Sequence, residues 1–197
     1  VVAPPFDLHT RHVWDERNFP TMLSEGAGDA VRDCGAIGDG VTDDHAALQH
    51  CVDTYAVVVL PRGMYRLSAT LQLRRPGGAL VGIGRTASVL MAAREGFPAG
   101  APLLRVTGLG TVIYAFDYLT FWHIPNVYLL DWQAHDGIWR QAHGYRTCDV
   151  LAYAPHPTVG PSCAGWRHHD TAVVLNQPLS VISGGGRFYT FYIEDWH

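Results

Sequence analysis

The chain has little charge and no positive field. Charged residues make up 16% of its 197 positions, the formal net charge is −4, and no basic run occurs. A nucleic-acid binder needs a cationic surface to neutralise phosphates, so that partner class is excluded. Long apolar runs are missing too. "YAVVVLP" and "VTGLGTVIYAF" are too short, or too broken by glycine, to cross a bilayer as a helix. Four cysteines stand at 34, 51, 148 and 163, with no C-x-x-C spacing, which removes zinc ribbons and thioredoxin-like redox motifs. No H-E-x-x-H and no G-x-S-x-G occur, which leaves zinc-protease and serine-hydrolase chemistry unsupported.

Apolar residues at 48% and aromatics at 11% suit one globular domain with a sizeable core. The chain opens on Val1 without the charged and apolar regions of a signal peptide, and stops at "FYIEDWH" inside an aromatic, strand-like run. The expectation is a processed or partial piece of a secreted protein. In that setting Cys34 with Cys51 and Cys148 with Cys163 are possible disulfides. Three connectivities exist, and buried free thiols are the alternative.

Residues 1–30 read as a loop-like arm broken by Pro4, Pro5 and Pro20. The stretch "VRDCGAIGDGVTDDHAALQHCVD" follows, and then one helix from about Asp44 to Tyr55. Beyond it lie short runs rich in Val, Ile, Leu and aromatics, such as "AVVVLP", "MYRLSATLQL", "ALVGIG", "TVIYAFDYLTFW" and "RFYTFYIEDW". No second long helix is evident, so a Rossmann-like alternation is unsupported. Two architectures fit: an antiparallel sandwich, or a parallel β-helix with coils of roughly 20 to 30 residues. The Asp-Gly pair Asp136-Gly137 does not join two alternating strands, which speaks against a hairpin there. Gly82 or Gly84 suits a coil corner.

The acids of the opening stretch have a structural reading. Gly35, Gly38 and Gly40 permit positive φ in a tight loop. Thr42 or Asp43 sits where an N-cap would accept a free backbone N–H, and Asp43 and Asp44 lie at the positive end of the helix dipole. Ala46, Ala47, Leu48 and Cys51 supply an apolar face. An EF-hand register is absent.

This stretch, with "VVVLPRGMYRLSATLQL" and "ALVGIG" after it, resembles the opening segment of the pectate-lyase-like superfamily of right-handed parallel β-helix proteins. The shared pattern is V-x-D-x-G-A-x-G-D-G-x-T-D-D, here including Gly38, Asp39, Gly40, Thr42, Asp43 and Asp44. A P-x-G-x-Y turn (Pro61, Gly63, Tyr65) and an L-x-G-x-G strand (Leu80, Gly82, Gly84) follow. The resemblance is specific over residues 31–84. It implies an all-β fold: a right-handed parallel β-helix, here a partial solenoid over 31–197, with an N-terminal capping α-helix over its open end. The later part, "YLTFWHIPNVYLLDWQAHDGIW" and "SGGGRFYTFYIEDW", looks closest to the glycoside hydrolase family 55-like group of exo-β-1,3-glucanases. Members of that group carry two β-helices in one chain, so a second half is expected to be missing here. The same opening motif also occurs in tail-spike proteins, polygalacturonase-like enzymes and non-catalytic proteins; a fold does not fix a function.

Glycoside hydrolysis needs two carboxyl groups facing one sugar bond. The acids available are Asp117, Asp131, Asp136, Asp149, Asp170, Glu194 and Asp195. Asp131, Trp132, His135, Asp136 and Trp139 cluster in sequence, and on one strand Asp131, Gln133 and His135 would share a face. Trp132 and Trp139 could stack on sugar rings, or simply pack in the interior. In "GGGRFYTFYIEDW", Gly184 to Gly186 would let the backbone approach a ligand, and Arg187, Tyr189, Glu194, Asp195 and Trp196 could line a subsite. Glu194 is the first choice as proton donor, with Asp195, Asp131 and Asp136 as the other catalytic candidates. His168, His169 and Asp170 are adjacent and diverge on a strand; His45 and His50 do not share a helix face. No metal site and no cofactor are therefore expected. Lyase chemistry ranks lower because no acid trio shares a coil face. The resemblance thus implies a secreted β-helix protein with a polysaccharide partner which, if an enzyme, hydrolyses β-1,3-glucan by inversion. The alternatives are a non-catalytic binding or structural module, and a polyuronate lyase or hydrolase.

Overall fold

A computed structural model describes residues 25–93, 96–121, 127–147, 180–189 and 192–195. The expectations for the arm up to residue 24, for Cys148, Cys163, Asp149, Asp170, the His168-His169 pair and Trp196 lie outside these residues.

The chain winds through three sheets in a repeating order, and all strand pairs are parallel. Sheet A holds β1 (Ala27–Asp29), β3 (Val57–Leu60), β6 (Ala79–Gly82), β9 (Val112–Tyr114), β12 (Gly137–Arg140) and β15 (Gly186–Tyr189). Sheet B holds β2 (Asp39–Asp43), β4 (Gly63–Leu67), β7 (Ser88–Ala92), β10 (Asp117–Phe121), β13 (His143–Thr147) and β16 (Tyr192–Asp195). Sheet C holds β5 (Leu71–Leu73), β8 (Pro102–Val106), β11 (Tyr128–Trp132) and β14 (Ser180–Ile182). Each turn of chain visits A, then B, then C. This is a right-handed parallel β-helix; the sandwich alternative is excluded because no antiparallel pair occurs among these strands.

In-register stacking turns sequence alternation into columns. One column runs Val58, Leu80, Ile113, Trp139 and Phe188 along sheet A. Another runs Tyr65, Leu90, Tyr118 and Gly144 along sheet B, and a third Leu73, Val106, Trp132 and Ile182 along sheet C. These face the interior, and most are fully buried. Trp139 meets Tyr118 and Trp132 edge-on at 5.3 and 6.4 Å, and Trp132 meets Phe188 at 5.1 Å. Gly144 is small because the Tyr118 ring fills the space its side chain would take.

Several long runs of the sequence are divided by corners. "RFYTFYIEDW" is not one strand: β15 belongs to sheet A and β16 to sheet B. The same holds for "TVIYAFDYLTFW", where Ala115 at φ 57° turns the chain between β9 and β10. Gly82 ends β6 at a corner, as expected. Its reason is close approach to the Ala115 carbonyl of the next coil, where a side chain would collide. Asp136, at φ 54°, marks a corner and no hairpin.

The one helix among the described residues, α1 (His45–Thr54), takes the sheet C place in the first coil and packs on β5. Leu48, Cys51 and Val52 are its buried face; Ala47 is half-buried and Ala46 exposed, so the apolar stripe sits further along than the sequence suggested. A disulfide joins Cys34 to Cys51 and ties the opening loop to this helix. Closing a loop of 17 positions contributes about 3 kcal/mol in the chain-entropy model. The N-cap residue is Asp44, not Thr42 or Asp43. Its buried carboxylate does not cap the helix; it accepts the Ile37 and Gly38 N–H groups at 2.7 and 3.0 Å and folds the loop back onto the helix start. Burial holds this carboxyl above its ordinary range, outweighing both bonds. Asp43 instead bridges the N–H groups of His45 and Ser68, both at 3.1 Å. Asp39 closes its own turn through Val41 and Thr42.

Asp44→Ala should therefore cost about 1.5–3 kcal/mol, the scale for buried hydrogen bonds to a charged group, and exposed Asp43→Ala about 1. Denaturant unfolding of both variants checks the order. A larger loss at Asp43 would contradict the loop-staple role of Asp44.

Candidate functional site

Sheet B carries the arrangement with the most chemical potential. The corner at Ala115 and the buried Phe116 set the start of β10, so that Asp117 leads that strand. Register places Asp117 directly beside His143, the first residue of β13. Tyr118 points into the core, so Asp117 and His143 lie on the outer side of the coil. Asp117 is fully buried and His143 is 6% exposed. His143 Nδ1 stands 3.9 Å from Asp117 Oδ1. Neither Asp117 oxygen finds a hydrogen bond among the described residues. Burial pushes its carboxyl up to about 7, partly offset by the Arg85 guanidinium. Burying a carboxylate without hydrogen bonds is costly, and proteins seldom keep such a group without a use for it. At neutral pH the acid can hold or release a proton, and an imidazole beside it can take one.

The sequence-predicted catalytic acids do not converge. Asp131 lies on sheet C, where its Oδ2 accepts Arg105 Nε at 2.8 Å and Gln133 Nε2 at 2.9 Å. This ion pair links β8 to β11 on the outside of the coil. Asp136 is exposed at the corner between sheets C and A. Glu194 and Asp195 stand on β16 opposite Tyr145 and Arg146, in the same sheet as Asp117. The proposed cluster of Asp131 with Asp136 is thus split between a sheet and a corner.

The aromatic platform must be corrected. Trp132 and Trp139 are completely buried, with their indole N–H groups donated to the carbonyls of Gly185 and Ala142. Neither offers a ring to a sugar. Their positions in the inner columns, and the small residues that let coils stack on them, explain this. Gly184 and Gly186 likewise admit the preceding coil, against Ala134 and Gly137, and no ligand. Arg187 is exposed and Tyr189 half-buried on the outer side of sheet A, opposite Ile138 and Arg140. No group of three or more His, Cys, Asp or Glu converges as a metal site among the described residues. Asp117 was one acid among many in the sequence, and His143 carried no signal there. Only the coil period, aligning the two, could have paired them.

Residues 30–108 match the family model for rhamnogalacturonase A/epimerase, pectate lyase-like proteins. No curated protein matches the chain. Among solved structures, ORF18 of Geobacillus virus E2 is 17% identical with a TM-score of 0.51, over 61% of this chain and 27% of that one. The pre-mature gene product 12 of bacteriophage phi29 is 18% identical with a TM-score of 0.51, over 59% of this chain and 17% of that one. The A-module of the Azotobacter vinelandii mannuronan C-5 epimerase AlgE4 is 21% identical with a TM-score of 0.47, over 59% of this chain and 38% of that one. The chain spans well under half of each of these structures. The fold is thus a parallel β-helix, and its residues 30–108 are similar to pectate-lyase-like proteins.

An unfolded aspartate loses its proton near pH 4, whereas folded Asp117 keeps it to about 7. The folded state holds the extra proton in between, so this group lowers stability as pH rises from about 4 to about 7, with the full cost above that range. Asp117→Asn should flatten that part of the Tm–pH curve and raise Tm at pH 8. An unchanged slope with no gain at pH 8 would contradict the buried-acid assignment.

Proposed function

We propose that the chain is part of a polysaccharide-active enzyme in which Asp117 and His143 share acid–base work at a sugar ring. The observation that carries the reading is the hydrogen-bond-free, buried carboxyl of Asp117, held near neutrality beside an imidazole. Such an acid suits protonation of a glycosidic oxygen. The match of residues 30–108 to a family named for rhamnogalacturonase and epimerase supports a glycan as substrate. Hydrolysis by inversion needs a second carboxylate roughly 6.5–9.5 Å away. Register sets Tyr192 in line with Asp117 and His143, so Glu194 stands two strands across and two residues along from Asp117, roughly 12 Å between backbones. A β-1,3-glucan is the first substrate to try, and polyuronates the second. The Cys34–Cys51 disulfide supports a secreted protein. Ile182, an inner-column residue left 46% exposed, supports a further coil or second half lying on that end.

A non-catalytic module is the second reading, favoured by the burial of both candidate platform tryptophans. The test uses the full-length parent protein on laminarin, polygalacturonate, rhamnogalacturonan and alginate, with and without chelator. Activity on one of these should fall by about 10²–10⁴-fold in Asp117→Asn and in His143→Gln, with kcat carrying the loss. Wild-type activity that survives both substitutions would remove the pair from catalysis. Binding without turnover on every glycan would put the module reading first.

A further inference from the structure

A sheet that stops leaves backbone N–H and C=O groups facing outward, ready to pair with another extended chain. Among the described residues, β1, β2 and β5 are the terminal strands at the first end of the coil. Their backbone groups are nonetheless engaged, by side chains and not by strands. Gln49 of α1 meets Gln72, the middle residue of β5, with both halves of its amide. Its Oε1 accepts the Gln72 N–H at 2.9 Å, and its Nε2 donates to the Gln72 carbonyl at 3.1 Å. A neighbouring parallel strand would offer this residue the same pair of bonds. The Nε2 also donates to Asp53 Oδ2 at 3.1 Å, one helical turn on, which holds the amide in place. Asp33 treats β1 alike. Its Oδ2 accepts the Asp29 N–H at 2.8 Å, and its own N–H donates to the Asp29 carbonyl at 2.9 Å. The next N–H along, that of Ala30, points the other way to Val59 of β3, so Asp29 is the outward residue. On β2, Asp39 Oδ1 accepts the N–H groups of Val41 and Thr42 at 2.8 and 2.7 Å.

We propose that Gln49 and Asp33, with Asp39, act as a strand mimic that closes this end of the coil against strand addition by a second copy of the chain. A second copy is the fitting intruder. It carries the same three parallel sheets, so its strands match these edges in number and direction. Contacts of that head-to-tail kind do not close on themselves and lead to open filaments. Water on an edge gives way easily to an incoming strand. A side chain anchored on the same chain returns at high effective concentration and has to be displaced. Packing does not ask for an amide at position 49. The buried face of α1 is Leu48, Cys51 and Val52, and Gln49 is only half-buried beside it. The glutamine is explained by the edge it meets. The strand mimic governs assembly and is independent of the chemistry proposed on sheet B.

Sedimentation velocity of the full chain over a concentration series, with amide hydrogen exchange on the same samples, tests this. The double variant Gln49→Ala with Asp33→Ala is compared with the wild type. The variant should gain species heavier than any in the wild-type sample, growing with concentration. Its Gln72 amide should lose protection when dilute and regain it in the heavier species. A folded variant that sediments as the wild type does at every concentration would overturn the proposal. So would association that leaves the Gln72 amide unprotected, since another surface would then be responsible. The wild-type chain gives a second readout should the variant fold poorly. Its Gln72 and Asp29 amides should exchange as slowly as those of β8, a strand paired on both sides. Exchange of the Gln72 amide as fast as that of Leu109, an exposed corner residue, would show an open edge and contradict the strand mimic.

Discussion

Each inner strand of this coil bonds to the strand one turn earlier and to the strand one turn later, always in the same direction. That ladder sets everything else. A residue's side is fixed by its parity within a strand, and its neighbours are fixed by what stands one turn away. Trp139 is interior because Ile113 precedes it in the column and Phe188 follows. Asp117 meets His143 for the same reason, on the opposite parity. A slip of one residue in any strand would bring core side chains to the surface along that whole strand.

A ladder of this kind has ends, and the first end is closed with several devices at once. The helix replaces a strand where the coil would otherwise expose its interior, and it sets Leu48, Cys51 and Val52 on the column. The Cys34–Cys51 bond and the Asp44 carboxylate then hold the preceding loop to the helix. Gly38 is needed because its φ of 67° suits few other residues and because the Tyr65 ring and the Gly63 backbone lie against it. Asp39, Asp43 and Asp44 each accept hydrogen bonds within this closure.

Much of the architecture was legible in the sequence because its signals are local. The glycine-hinged loop, the short helix α1 and the turn around Pro61 to Tyr65 all fall within the segment that resembles the pectate-lyase-like opening. The site was less legible because it is made by contacts one coil apart. Trp132 and Trp139 look like a platform when read along the chain; read across coils, they are the largest side chains of the core. The corner at Ala115 was also hidden, since Ala115 carries no turn signature, and so was the change from sheet A to sheet B after β15. Asp117 was visible as an acid, but its distinction comes from burial and from His143, and neither is written in the residues around it.

In the folded chain, burial lets the Asp117 carboxyl keep its proton up to about pH 7. Carboxyl-carbon NMR of chain labelled with 13C-aspartate follows that group directly, with the Asp117 signal assigned by its loss in Asp117→Asn. A titration midpoint near 7, well above the ordinary 3.8, is the predicted result. A midpoint near 4 would show an ordinary surface-like acid and would contradict the assignment of sheet B as the functional face.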